Sequence, residues 1–253
     1  TRYLWSDTHT YLKEQPYNKF FKKIIAFILN YIRIWDRLAA DRVDMFIANS
    51  KFIKQRIAKY YRRKSVVIYP PVEVDKFYLN TDIQNYYLIG GRLVPYKRFD
   101  LVVKAFKELK LPLKIFGSGI DEERLKKLAI GCDNIEFLGR VDDKTKADLY
   151  SHCQAFINPQ EEDFGITAVE AMASGRPIIA YRKGGVIEQV IENQTGVFFN
   201  NQTREELIDA VKRSQNINFN PQLIRRQAEK FSTERFKKEI KDYIEKQYYE
   251  FKR

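Results

Sequence analysis

The sequence predicts an α/β protein whose main body is a doubly wound, Rossmann-like domain built on a parallel sheet. Three observations lead there. From Tyr86 onward, short apolar runs alternate with helical stretches, the pattern of strands buried on both faces and joined by crossover helices. The alternation lasts about 150 residues, the size of one such domain. The most distinctive loops of the chain each follow a predicted strand, at the edge where open α/β sheets bind ligands. Composition agrees. The 253 residues are 44% hydrophobic, enough to fill a core and to exclude a collagen-like, low-complexity or wholly disordered chain. Two cysteines, Cys132 and Cys153, exclude a disulfide-dense scaffold and a four-cysteine zinc site. Two histidines, His9 and His152, leave little for a histidine-rich metal centre.

The elements follow in order. Residues 18–40 (NKFFKKIIAFILNYIRIWDRLAA) predict a long helix with apolar residues on more than one face, hence buried or against a partner. Residues 43–48 (VDMFIA) predict a short strand, and Asn49 and Ser50 are good caps for a helix over 51–60. Residues 66–69 (VVIY) form a strand that Pro70 and Pro71 stop. Residues 72–82 have little periodicity and read as a linker. Strands are then predicted at 86–89, 113–116, 135–137, 155–157, 178–180 and 197–199. Helices are predicted at 99–109, 122–129, 144–152, 167–174, 186–192 and 204–213. The tail over 233–251 is a charged amphipathic helix with Ser232 as its cap. The expected organisation is 1–80, then a doubly wound domain over 81–232, then a helix over 233–253 packing back toward the N-terminal part.

Charge is uneven. The chain carries +12 overall, and residues 1–80 hold 16 Lys/Arg against 7 Asp/Glu. Such a field attracts phosphates, nucleic acid or anionic lipid, while a solvated basic helix face is the more frequent explanation of such runs. The longest early apolar run, IIAFIL at 24–29, is far short of the roughly 20 residues of a bilayer span. A soluble or peripheral chain under reducing, cytoplasmic conditions is expected.

Three loops carry the candidate chemistry. In the first, GGRLVPYKR (90–98), two glycines allow a tight turn and close approach to a ligand. Arg92 and Lys97 flank that turn beside a helix start, which suits a diphosphate; a glycine turn with solvated charges accounts for the motif equally. The Gly-Lys-Ser/Thr ending of a Walker A loop is absent. The second, FGSG (116–119), is a lone G-x-G and by itself reads as a sharp strand–helix turn. The third is PQEEDFGITAVE (159–170), where three acidic residues end a strand before a glycine and a helix. Amide groups near Phe164, Gly165 and Ile166 could meet anions, and carboxylates accept hydrogen bonds from sugar hydroxyls. An acidic helix start complementing the helix dipole explains Glu161 to Asp163 as well. It does not explain Glu170 on the apolar helix ITAVEAMA, where a carboxylate needs a partner.

Together these segments resemble the retaining glycosyltransferases of family 4, which have the two-domain GT-B architecture. The matching residues are GGRLVPYKRFD (90–100), IFGSG (115–119), NIEFLGRV (134–141), NPQEEDFGITAVEAMASGRPIIA (158–180) and GGVIEQVIENQTGVFF (184–199). The E-x7-E pattern of that family falls on Glu162 and Glu170. The upstream YIRIWDRLAADRVDMFIANSKFIKQRIAKYY and VVIYPPVEVDKF are similar to its bacterial GDP-mannose-dependent branch. The resemblance implies roles by position. Arg92 and Lys97 would neutralise the donor diphosphate, with no metal or other cofactor required. Glu162 would contact the hexose hydroxyls, and these three form the catalytic set. Glu170 would hold the ribose. Gly91 would let the backbone approach the pyrophosphate, and Phe164, Gly165 and Ile166 would offer amides to sugar and phosphate. Arg140 and Val141 would lie beside the base, with Gly117 and Asp163 also at the donor.

The implied reaction transfers a hexosyl group, mannosyl by resemblance, from a nucleotide sugar to a saccharide or lipid-linked acceptor with retention. Peripheral association with an anionic membrane fits the basic N-terminal part, a helix from the core of the acceptor-side domain fits it at least as well, and nucleic acid is not expected as a partner. Family members open with a complete acceptor-side domain, whereas residues 1–80 resemble only its last part. The expected consequence is a chain that binds nucleotide, transfers sugar poorly alone and exposes apolar surface along 20–35. Two alternatives remain: a sugar-nucleotide epimerase-like relative, and a non-catalytic basic domain binding lipid or nucleic acid.

Overall fold

The computed structural model describes residues 2–6, 8, 12 and 18–252; His9 lies outside them. The chain divides into two compact units, Thr1–Val67 and Ile68–Arg253.

The first unit holds α1 (Arg2–Trp5), α2 (Lys19–Ala40), β1 (Ile47–Ala48), α3 (Lys51–Tyr61) and β2 (Val66–Val67). Asn18 and Ser50 cap α2 and α3, their side-chain oxygens accepting the N–H groups of Phe21 and Ile53. β1 and β2 pair in parallel and are shorter than predicted. The Arg63 guanidinium takes the carbonyls of Val43 and Asp44, acceptors that a longer strand would need. Trp5 stacks on Tyr60 at 5.0 Å and donates to Asp36, which also accepts from the Tyr61 hydroxyl. Among its residues α2 buries Leu29 and Ala40. Phe20, Phe21, Phe27, Tyr31, Trp35 and Leu38 are each more than half exposed, and their spacing places them on one stripe. The predicted burial of this helix is therefore not met within its unit, while the exposure expected along 20–35 is present. No helix among the described residues is long and apolar enough to cross a membrane.

The second unit contains β3 (Tyr87–Gly90), α4 (Phe99–Leu109), β4 (Leu113–Phe116), α5 (Glu122–Leu128), β5 (Ile135–Gly139), α6 (Asp143–His152), β6 (Phe156–Asn158), α7 (Ile166–Ala173), β7 (Ile178–Tyr181), β8 (Gly196–Phe199), α8 (Arg204–Gln215), α9 (Pro221–Glu229) and α10 (Thr233–Phe251). All six strands are parallel, in the order β5-β4-β3-β6-β7-β8. Alternate strand residues feed two cores. Leu88, Phe156, Ile178 and Phe198 face Tyr150 of α6, Val169 of α7 and Ile224 of α9. Tyr87, Ile89, Ile115, Ile179 and Val197 face Phe106 of α4, Leu125 of α5 and Val211 of α8. This is the doubly wound architecture that the alternation predicts.

Three expectations are corrected. The unit boundary falls at 67/68 rather than 80/81, because Val72, Val74 and Phe77 of the supposed linker are buried in the second unit's core. The helix predicted over 186–192 is a single 3-10 turn, Gly185–Glu188. It cannot continue, because the Ile191 N–H goes to Thr195 Oγ1 and Asn193 is left-handed at φ 60°. The helix α9 was not predicted, although Asn220 caps it and Pro221 opens it. Ser232 caps α10 as expected, accepting from the Arg235 N–H. The first turn of α10 is tied down by bonds from Arg235 to Tyr69 O and from Thr233 to Val72 O.

Candidate functional site

Strand order reverses between β3 and its neighbour β6. The loops that follow these two strands leave the sheet on either side of one crevice, the place where doubly wound sheets take ligands. They are the first and third loops singled out in the sequence.

The loop after β3 is shaped by glycine. A Cβ on Gly90 would run into the Phe116 ring, and Gly91 holds φ +131°, a backbone state that favours glycine. Buried Leu93 anchors the loop; its N–H donates to Ser118 O and its carbonyl accepts from the Asp121 N–H. A 3-10 turn, Pro95–Lys97, then leads into α4. The FGSG segment braces this loop from below. A Cβ on Gly117 would strike Gly91 O, and one on Gly119 would strike Leu93 O. Gly117 is thus a packing position beneath Gly91.

The loop after β6 is fixed from the neighbouring strand. Glu162 forms a parallel bridge with Gly184, and the Gly185 N–H donates to Glu162 O at 2.8 Å. A Cβ on Gly184 or Gly185 would collide with the backbone of Glu162 or Asp163. Lys183 pairs with Glu161 at 2.9 Å. The Phe164 ring is buried between Tyr69 and Phe231, and its carbonyl accepts from Gln189 Nε2. Tyr69 donates to Glu188, and burial together with that carboxylate pushes its phenol up to about 12. Gly165, at φ +92°, precedes α7 with no side-chain cap, and the first turn of α7 holds no acidic residue. The run from Glu161 to Asp163 therefore does not serve as the acidic start of that helix.

The two loops meet through an ion pair. Lys97 Nζ lies 3.2 Å from Glu162 Oε1, both side chains being largely buried. The ammonium is off hydrogen-bond geometry, so Glu162 Oε1 is buried without a hydrogen bond. Lys97 Nζ also stands 3.2 Å from the point where a Gly91 side chain would begin, so it lies against the glycine turn. Behind this pair, Glu170 has the partners that its position demands. Lys146 Nζ donates to Oε1 at 3.2 Å and the Tyr150 hydroxyl to Oε2 at 3.1 Å. Burial, then the Glu170 charge, holds the Tyr150 phenol well above its usual value. Neither partner was found by sequence reasoning. Their i, i+4 spacing on one helix was visible, but nothing local joins that face to α7.

The structure thus gathers Gly91, Lys97, Gly117 and Glu162 at the crevice and sets Glu170 against α6. Arg92 and Arg140 stand exposed on loops and make no hydrogen bond or ion pair with described residues. Val141, half-buried, leans on the core. Ile166 opens α7 with its side chain exposed. His152 is bonded to Asn80 and to the Asp148 carbonyl, a structural arrangement. Cys153 is fully buried, and burial raises its thiol to about 12, which makes it a poor nucleophile. No group of three or more His, Cys, Asp or Glu that could hold a metal ion occurs among the described residues. In the first unit, a cavity of about 360 Å³ is lined by Trp5, Ser6, Thr8, Arg33 and Tyr60, but the Arg33 guanidinium is already engaged by Leu4 O and Thr8.

Comparison with known proteins identifies the family. Residues 72–231 match the family described as glycosyl transferases group 1. An uncharacterized glycosyltransferase of Methanocaldococcus jannaschii is 29% identical over 186 residues, covering 71% of this chain and 53% of that protein. A GDP-mannose-dependent alpha-(1-6)-phosphatidylinositol monomannoside mannosyltransferase of Mycobacterium tuberculosis is 28% identical over 205 residues, covering 69% and 53%. Among solved structures, Anabaena HepE in complex with UDP and glucose matches with a TM-score of 0.74 at 19% identity, over 84% of this chain and 66% of that one. The chain spans about half the length of these curated relatives.

Proposed function

The chain belongs to the glycosyl transferases of group 1, and from that membership we propose that its second unit is the donor half of a retaining transferase. The reaction moves a hexosyl group from a nucleoside-diphosphate sugar to an acceptor hydroxyl. The bond broken joins the anomeric carbon to the diphosphate oxygen, and the bond formed joins it to the acceptor oxygen. The acceptor proton passes to the departing diphosphate. The observation that carries this proposal is the Lys97–Glu162 pair across the β3/β6 crevice, one cation and one acceptor at the glycine turn.

Charge develops on the leaving diphosphate, and preorganised cations stabilise it most effectively where water is excluded. Lys97, against the glycine turn, and Arg92, exposed on the same loop, would supply these cations. Neither role calls on a metal ion or cofactor. Glu162 would accept from hexose hydroxyls and Glu170 from the ribose, with Arg140 and Val141 near the base. Amides at Gly165 and Ile166, at an uncapped helix start, suit a phosphate. Asp163 and Phe164 contribute backbone to the same wall. GDP-mannose is the proposed donor, supported by the name of the mycobacterial relative. Calorimetric titration with GDP-mannose and UDP-glucose tests the proposal, with Glu170→Ala as control. Saturable binding that prefers one donor and is weakened about 30-fold in the variant is expected; no binding of either by the folded chain would overturn it.

A second observation bears on where the enzyme works. Residues 18–67 carry 13 Lys/Arg against 3 Asp, and α2 presents its exposed apolar stripe within that field. An apolar face flanked by cations suits the surface of an anionic bilayer, so we propose a peripheral enzyme of the cytoplasmic membrane face with a lipid-linked acceptor. Sedimentation with phosphatidylglycerol vesicles, and not with phosphatidylcholine vesicles, is expected. Equal recovery with both, or none, would exclude it.

A further inference from the structure

Lys146 and Tyr150 are one turn apart on α6 and deliver one donor to each oxygen of the Glu170 carboxylate. We infer that these two residues are positioning residues for nucleotide recognition: they fix the carboxylate so that its remaining lone pairs face a vicinal diol. They thereby set the preference for a ribonucleotide over its 2′-deoxy counterpart. The inference rests on the assignment of the crevice as a donor site, and deepens it by assigning the basis of ribose selectivity.

The geometry is specific. An ionised carboxylate offers about four lone-pair directions, and Lys146 and Tyr150 occupy one on each oxygen. The remaining directions suit two adjacent hydroxyls, since a bidentate acceptor meets paired donors with one orientation. The Tyr150 ring cannot follow a moving partner. It has no exposure and is packed edge-on among Phe77, Phe116 and Phe156 at 5.7, 5.8 and 5.4 Å. Its hydroxyl therefore marks a fixed point at the end of the core. Lys146 is itself held, by Asp143 Oδ1 at 3.3 Å and over the Phe77 ring at 5.7 Å.

The surroundings argue against a merely structural cluster. Glu170 lies on a helix whose neighbours Ala168, Val169, Ala171, Met172 and Ala173 are all buried. Replacing such a polar trio by apolar side chains of similar volume is commonly neutral or stabilising. Its presence where α7 borders the ligand crevice fits a binding role better than a packing one.

The test compares GDP, UDP and their 2′-deoxy forms by calorimetry on the full chain, using whichever base binds. The wild type is expected to prefer the ribonucleotide by about tenfold or more, the range of a hydrogen bond to a charged group. Tyr150→Phe and Lys146→Met each bring that ratio toward one while changing affinity for the deoxy form less than about twofold. Lys146→Arg restores part of the preference. Melting curves check that each variant is folded, and Tyr150→Phe keeps the packed ring should Lys146→Met fail. An unchanged ratio in Tyr150→Phe and Lys146→Met, with the ratio lost in Glu170→Ala, overturns the positioning role and leaves the donor site intact. A wild type that binds no nucleotide, or a ratio unmoved by Glu170→Ala, overturns the donor-site assignment itself.

Discussion

Glu162 and Glu170 each meet a lysine at 3.2 Å, yet the two regions that carry them hold them differently. Glu170 sits on a helix, and both its oxygens accept hydrogen bonds from groups that the core or a second carboxylate fixes. Glu162 sits on a loop, and its buried oxygen has an ammonium beside it but no hydrogen bond. A buried acceptor without a hydrogen bond is a cost that a bound hydroxyl would remove. The helix side is thus complete within the protein, whereas the loop side keeps an acceptor that the proposed donor would satisfy. On the proposed reading, Lys97 would turn from Glu162 to the diphosphate, and the sugar hydroxyls would donate hydrogen bonds to the carboxylate it leaves.

The largest expected effect breaks the loop side. Lys97→Ala removes the cation from the diphosphate and strands Glu162, so affinity for a nucleoside diphosphate should fall by about 100-fold, in the range for losing one partner of a buried pair; titration calorimetry reads it. Glu170→Ala breaks the helix side, with an expected loss of about 30-fold for nucleoside monophosphates and diphosphates alike. If only the diphosphate were affected, the two sides would not be distinct. Gly117→Ala strikes beneath the loop, where φ is +116° and the new Cβ meets Gly91 O. It should cost about 2 kcal/mol in denaturant unfolding. Glu162→Gln sharpens the comparison with an opposite sign. It frees Lys97, so nucleoside-diphosphate affinity should hold or rise by about two- to fivefold, while the gain from an attached sugar disappears.

The smallest effect lies in alkaline pH. Tyr69 and Tyr150 both have raised folded-state values, so they keep their protons where unfolded tyrosines, near pH 10, lose them. Their contribution is full below about pH 10 and declines as pH rises through the folded values. Tyr150→Phe should make that alkaline decline shallower, as seen in melts from pH 9 to 11.

Most of the second unit was legible because its strands are unbroken apolar runs, and β4, α4 and α10 fall where patterning puts them. Val72, Val74 and Phe77 were missed because a 3-10 turn spaces apolar residues without helical or strand periodicity. Residues 186–192 look helical, but the Thr195 hydroxyl competes for a backbone N–H from outside the segment. At the site, Glu170 was marked as needing a partner on grounds of polarity alone. The partners themselves were hidden, since they come from another helix. The acidic run from Glu161 to Glu162 was legible as a charge pattern only; its lysines, Lys183 and Lys97, arrive through tertiary contact.

The adjacency of β3 and β6 has a consequence for how the protein is made. Their register, Leu88 against Phe156, joins segments between which β4, α4, α5, β5 and α6 must all be synthesised. Such distant pairings form late, after loop closure has been overcome. A nascent chain released before residue 156 could lay down β3 to β5, but it would have no crevice at all. Competence to hold the proposed nucleotide should therefore emerge in a single late step of folding.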